Sequence, residues 1–192
     1  MSKTRLEAFS DGVIAIIITI MVIELRAPHG SDWSTLRPLL PVLLSYVLSF
    51  VYIGIYWNNH HHLLHATKQI SGGVMWANMH LLFWLSLFPF VTAWMGENAF
   101  ARNPAALYGV VTLMAAVAFT ILVRVLLRHH DADSALARAI GSDAKGNVSL
   151  ALYVLGILSS WIHPSISLVF YVVVAVIWLV PDRRIERALQ KS

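Results

Sequence analysis

Arg5, Ser10 and Asp11 stand directly ahead of a long apolar run, Val13 to Leu25. A carboxylate at the edge of such a run is expensive to hold unless other groups answer it. Arg5 and Asp11 are six residues apart, so they do not stack on one helix face, and their partners are expected from neighbouring helices. His60, His61, His62 and His65 follow Trp57-Asn58-Asn59 at the end of a second apolar stretch, and Asn78 and His80 open a third. A buried network of such groups is stable only when its members are satisfied. His61 and His65 also have the i, i+4 spacing of a metal-ligand pair. The chain has no cysteine, and no acidic residue lies near the histidines in sequence, so no metal and no cofactor is expected.

Inside the first run, Ile16, Ile20 and Ile23 recur at i, i+4 and i+7, with Thr19 beside them. A β-branched stripe of this kind packs against a neighbouring helix, faces lipid, or, in a symmetric oligomer, rings a pore that closes by dewetting. Paired carboxylates, a nucleophile elbow and a His-Glu-x-x-His pattern are all missing, so an enzyme is not expected. A secondary ion transporter stays open through Asp11 as an ion-binding carboxylate, although Asp11 sits at a helix end. A non-conducting structural membrane subunit is the third reading.

The elements that must position these residues follow from composition. Of the 192 residues, 58% are hydrophobic and only 12% charged, about half the charge of an ordinary soluble domain. The mean hydropathy is +0.68. A soluble fold of this size cannot hide so much apolar surface, whereas a lipid bilayer accepts it. Hydrophobic segments lie near residues 4–25, 37–64, 73–96, 105–127, 147–163 and 165–181. Each is long enough to cross a hydrocarbon core of about 30 Å. The expected fold is therefore all-α: a polytopic membrane protein of six transmembrane helices in a single domain, residues 1–192. Ala27-Pro28-His29-Gly30, Ser71-Gly72-Gly73, Gly96-Glu97-Asn98 and Asn103-Pro104 supply the turns, and His163-Pro164 separates the last two helices. The longest polar stretch is Arg128 to Asn147.

Charge gives the orientation. With the N-terminus inside, eleven Lys and Arg lie on the cytoplasmic side: Lys3, Arg5, Lys68, Arg124, Arg128, Arg138, Lys145, Arg183, Arg184, Arg187 and Lys191. Three lie outside: Arg26, Arg37 and Arg102. Both termini are expected in the cytoplasm, in the cell inner (plasma) membrane. The net charge of +4 is thus assigned to topology and anionic lipid; no basic–aromatic patch speaks for nucleic acid. Glu24-Leu25-Arg26 follows the first run where a signal peptide would carry small residues, so that run reads as a retained helix.

Arg5-x-x-x-Phe9-Ser10-Asp11 resembles the signature of the bacterial members of the transmembrane protein 175 family, relatives of the endosomal and lysosomal potassium channel. Trp57-x-x-His60, Asn78, Pro89-Phe90, Thr92 and Gly96-Glu97 echo the same family, so the resemblance covers roughly residues 4 to 100. The resemblance implies a homotetramer of six-helix subunits around a central pore lined by helix 1. It places the constriction at Ile16, Ile20 and Ile23 and associates Thr19 with selectivity. It assigns Arg5, Phe9, Ser10, Asp11, His60 and Asn78 to the signature and to the network that holds helix 1 against helices 2 and 3. The implied activity is a potassium-permeable cation channel. No Thr-Val-Gly-Tyr-Gly loop is present, so a carbonyl filter is not available and potassium over sodium selectivity is expected to be modest. Potassium ions, the bilayer and further copies of the chain are the implied partners.

Overall fold

The computed structural model describes residues 2–65, 67, 70–128 and 144–179. Among them are seven α-helices and one 3-10 helix, and no strand. Helix α1 runs Lys3–Ile23 and starts on Ser2, whose hydroxyl accepts the Arg5 N–H at 3.4 Å. A 3-10 turn, Trp33–Leu39, opens after Asp32 and leads into α2, Leu40–His65. Ser71 caps α3, Gly72–Ser86, by accepting the Val74 N–H at 3.3 Å.

The third hydrophobic segment is one expected helix but two observed ones. It breaks at Leu87, and α4 resumes at Phe88–Glu97 with Pro89 in its first turn. Pro89 has no N–H to donate back along the helix, and its ring crowds the carbonyl four residues earlier. Leu87 keeps helical angles, so α3 and α4 still form one 26-residue span, Gly72–Glu97. Helix α5 covers Arg102–Leu127, α6 Ala144–Ser159 and α7 Pro164–Leu179. Pro164 begins α7, where a missing N–H costs nothing.

Counting α3 and α4 as one, six helical segments are present among the described residues. Four are long and apolar enough to cross a membrane by themselves: Lys3–Ile23, Trp33–His65, Gly72–Glu97 and Arg102–Leu127. Helices α6 and α7 have 16 residues each, shorter than the segments expected at 147–163 and 165–181. Residues 180–181 of the latter lie outside the described residues, as do Lys68, Arg138, Arg183, Arg184, Arg187 and Lys191 of the charge count, and 129–143 of the long polar stretch.

Gly96 is one correction. The sequence pattern reads it as part of a turn, yet it lies inside α4. A Cβ there would sit 2.5 Å from Ser45 Oγ and 2.7 Å from the Val42 Cα, so its role is the close crossing of α4 over α2. The turn itself is made by Asn98 to Ala101, with Ala99 and Phe100 at φ 46° and 59° and the Phe100 N–H donating to Met95 O at 2.9 Å.

The core is built around α5, which packs against α3, α4, α6 and α7. Tyr52, Phe88, Tyr108, Tyr153 and Tyr171 gather there with ring centroids 5.7–6.4 Å apart. Gly109 on α5 and Gly156 on α6 form the socket for Tyr171: a Cβ on Gly109 would overlap the Tyr171 hydroxyl, and one on Gly156 would lie 2.5 Å from its ring.

Candidate functional site

Helix α1 has two unlike faces. Leu6, Ser10, Ile14, Ile17 and Met21 are buried against α2, α3 and α4. On the other side Ile16, Ile20 and Ile23 are 59%, 43% and 73% exposed, and Thr19 between them is exposed as well. Phe9 lies seven residues before Ile16 on the same uncovered side. The Thr19 hydroxyl donates to Ile16 O at 2.8 Å and Ala15 O at 3.2 Å. Its proton is thereby used inside the helix, and what it offers outward is an oxygen.

The buried face carries a polar chain. Ser10 Oγ donates to Leu6 O at 2.8 Å and accepts from Asn78 Nδ2 at 3.0 Å. Asn78 Oδ1 lies 2.7 Å from His60 Nε2. Because the amide turns its NH2 group to Ser10, its oxygen accepts and His60 Nε2 donates. All three side chains are buried, and each belongs to a different helix: Ser10 to α1, His60 to α2, Asn78 to α3. Each bond is directional, so together they fix the rotation of α1 about its own axis as well as its position.

Asp11 joins from the rim. Its Oδ1 accepts from Trp57 Nε1 of α2 at 3.0 Å. Trp57 stacks on His61, and His61 on His65, at centroid distances of 6.3 and 6.1 Å. Lys3 Nζ donates to His65 O at 2.7 Å, which ties the start of α1 to the last carbonyl of α2, where the helix dipole favours a cation.

Arg5 stands outside this network within the subunit. Its side chain is exposed, and among the described residues the α1 ion pair is Lys3–Glu7 at 3.9 Å, not one with Arg5. Ser2 starts the helix so early that Arg5 falls in its first turn, ahead of the apolar run. The structure thus brings Ser10, His60 and Asn78 into one network, attaches Asp11 through Trp57, and leaves Arg5 and Phe9 on the surface of the subunit. His61, His62 and His65 join no group of three metal-ligating side chains among the described residues.

A second polar cluster is absent from the sequence reading. Thr92 Oγ1 of α4 donates to Ser49 Oγ at 2.6 Å, Ser49 donates to the Tyr108 hydroxyl at 3.1 Å, and Thr92 also touches Met21 Sδ of α1 at 3.9 Å. Tyr52 donates to Tyr171 O at 2.6 Å, and Tyr171 to Ala105 O at 3.1 Å. The signal was present: Ser45, Ser49, Tyr52 and Tyr56 recur at helical spacing, a stripe of hydroxyls in an apolar segment.

Comparison with known proteins follows the same geometry. The family model described as the endosomal/lysosomal potassium channel TMEM175 matches residues 5–89, the stretch that contributes α1, α2 and most of the Ser10–Asn78–His60 surroundings. A potassium channel of Chryseobacterium sp. (strain P1-3) is 54% identical over 192 residues, the whole of both chains. A potassium channel of Streptomyces collinus is 34% identical over 126 residues, 62% of this chain and 61% of that one. The crystal structure of a lysosomal potassium-selective channel TMEM175 homolog from Chamaesiphon minutus superposes with a TM-score of 0.79 at 28% identity, covering 94% of this chain and 97% of that one.

Proposed function

Since the chain belongs to the TMEM175 family, we propose that it is a potassium-permeable cation channel. Four copies of its single domain, residues 1–192, surround a central pore lined by α1. The channel lies in the cell inner (plasma) membrane with both termini in the cytoplasm.

The observation that carries this reading is the two-sidedness of α1. One face is held by three other helices, while the face with Ile16, Thr19, Ile20 and Ile23 is left exposed among the described residues. Around a fourfold axis, Ile16 and Ile20 make rings about 6 Å apart along the helix. Four isoleucines are stiff at χ1, so each ring has a defined bore. A bore narrower than a hydrated cation forces dehydration against an apolar wall, a barrier that gates by dewetting. Ile16 is the narrowest ring in this reading. The outward oxygen of Thr19 is the one polar group on the stripe, and it supplies a weak preference for the cation that sheds water more readily. Without a carbonyl filter, the preference for potassium over sodium is modest. The Ser10–Asn78–His60 chain keeps the stripe turned outward.

Purified protein in liposomes tests the reading. Dissipative potassium flux exceeding sodium flux is expected. A saturable flux coupled to a counter-ion would make the protein a transporter, and no flux from intact oligomer would make it a structural subunit.

A further inference from the structure

A separate cavity lies between α2, α5, α6 and α7, and no residue of α1 lines it. It leaves about 40 Å³ open to the centre of a water molecule. Its wall is mostly apolar but carries polar groups from three helices: Tyr56 and Asn59 of α2, Thr120 of α5, Ser149 and Tyr153 of α6.

Hydrogen-bond accounting shows what these groups lack. Thr120 donates to Ala116 O at 2.9 Å, and Ser149 donates to Lys145 O at 2.7 Å and accepts from Trp178 Nε1 at 2.9 Å. Asn59 Nδ2 donates to Ile55 O at 2.8 Å, which leaves its Oδ1 without a protein donor among the described residues. Tyr56 is only 8% exposed. Its ring packs edge-on against Phe119 at 6.0 Å, but its hydroxyl has no hydrogen-bond partner among the described residues. A buried O–H without an acceptor is costlier than a bond is worth, and native interiors answer such groups with protein or with water.

We propose that this cavity is a hydration site that binds water between α2, α5 and α6. Its volume of about 40 Å³ holds about three or four molecules, since roughly 10–15 Å³ of such space admits one. One water accepts from Tyr56 and donates to Asn59 Oδ1, and its neighbours reach the free lone pairs of Thr120. A water is held where it finds two or more polar partners, and Tyr56, Asn59 and Thr120 supply them at this wall. The water completes the hydrogen bonding of α2 across the helix interface. The site does not depend on whether the protein conducts ions.

Radiolytic hydroxyl-radical footprinting of the full-length protein in lipid nanodiscs tests this, because radicals form from bound water and label the side chains beside it. Tyr56 is expected to label several-fold faster than Tyr108, which is fully buried and hydrogen-bonded to Ser49. Ala116→Val fills the cavity and is expected to bring Tyr56 labelling down toward that of Tyr108, with helicity and elution volume unchanged. Equal labelling of Tyr56 and Tyr108 in the wild-type protein overturns the proposal. So does rapid Tyr56 labelling that survives Ala116→Val in intact protein, because the water would then reach the ring by another route. Should Ala116→Val fail to fold, the wild-type comparison alone decides.

Discussion

Replacing Asn78 by leucine removes two hydrogen bonds from the heart of the α1 anchorage while keeping the side-chain volume close to constant. The consequences are unequal for the two partners. Ser10 still donates to Leu6 O and loses only a bond it accepts. His60 Nε2 faces a methyl group and has no acceptor in a buried site. An unsatisfied buried donor costs about 1–3 kcal/mol. Polar bonds inside membrane bundles average nearer ~0.6 kcal/mol, which points to the lower half of that range. For a chain of this size each kcal/mol lowers the melting temperature by about 2–4 °C, so Asn78→Leu is expected to lower it by roughly 2–8 °C. Ser10→Ala removes one of the same bonds, at about 0.5–1.5 kcal/mol. Because that bond is shared, the double variant loses less than the sum of the two single ones. The assay is fluorescence-detected size exclusion of purified protein after heating, read for all three variants. Additive losses would show that Ser10 and Asn78 act independently. A melting temperature unchanged in Asn78→Leu would remove the network from the anchorage of α1.

Three further outcomes follow from other parts of the structure. Gly109→Ala drives a methyl group into the Tyr171 hydroxyl and is expected to cost about 1–3 kcal/mol of stability by overpacking, read as a lower melting temperature in the same assay. Ile16→Asn is expected to wet the proposed ring, raising potassium flux from liposomes and weakening discrimination against sodium, while Thr19→Val reduces discrimination with a smaller change in flux. Reporter fusions at Ser192 and beside Asp32 are expected to read cytoplasmic and external respectively; an external reading at Ser192 would defeat the orientation derived from the eleven-to-three distribution of Lys and Arg.

Segment order was legible in the sequence because hydropathy is a bulk property: the apolar runs became helices, at Pro89 a helix pair. That break was missed because Leu87 keeps helical angles, so the periodicity passes through it undisturbed. That polar groups of helices 1, 2 and 3 gather at one membrane depth was legible, but Ser10, His60 and Asn78 came together only through the family resemblance, because the residues alone do not say which of the four histidines turns inward. Arg5 lies in the first turn of α1, where water is within reach, and stands outside that network within the subunit. The Tyr108–Ser49–Thr92 cluster went unread although its α2 members fall on one helical stripe. Hydroxyls in apolar helices satisfy themselves on the backbone so often, as Ser45, Thr112 and Ser160 do here, that spacing alone does not mark the ones that reach across. Gly96 was read as a turn because its neighbours Glu97 and Asn98 are polar; only the nearness of α2 reveals its use.

The central claim is that the uncovered face of α1 lines the conduction path, and the absence of cysteine from the chain makes it directly measurable. Single cysteines are placed at Ile16, Thr19, Ile20 and Ile23, and at Ile14, Ile17 and Met21 on the buried face. Potassium flux from liposomes is then read before and after a small thiol-reactive cation. Block at the first four positions, with Ile14, Ile17 and Met21 insensitive, is the expected result. Block confined to the buried-face positions, or no block at any of the seven in protein that still conducts, would contradict it.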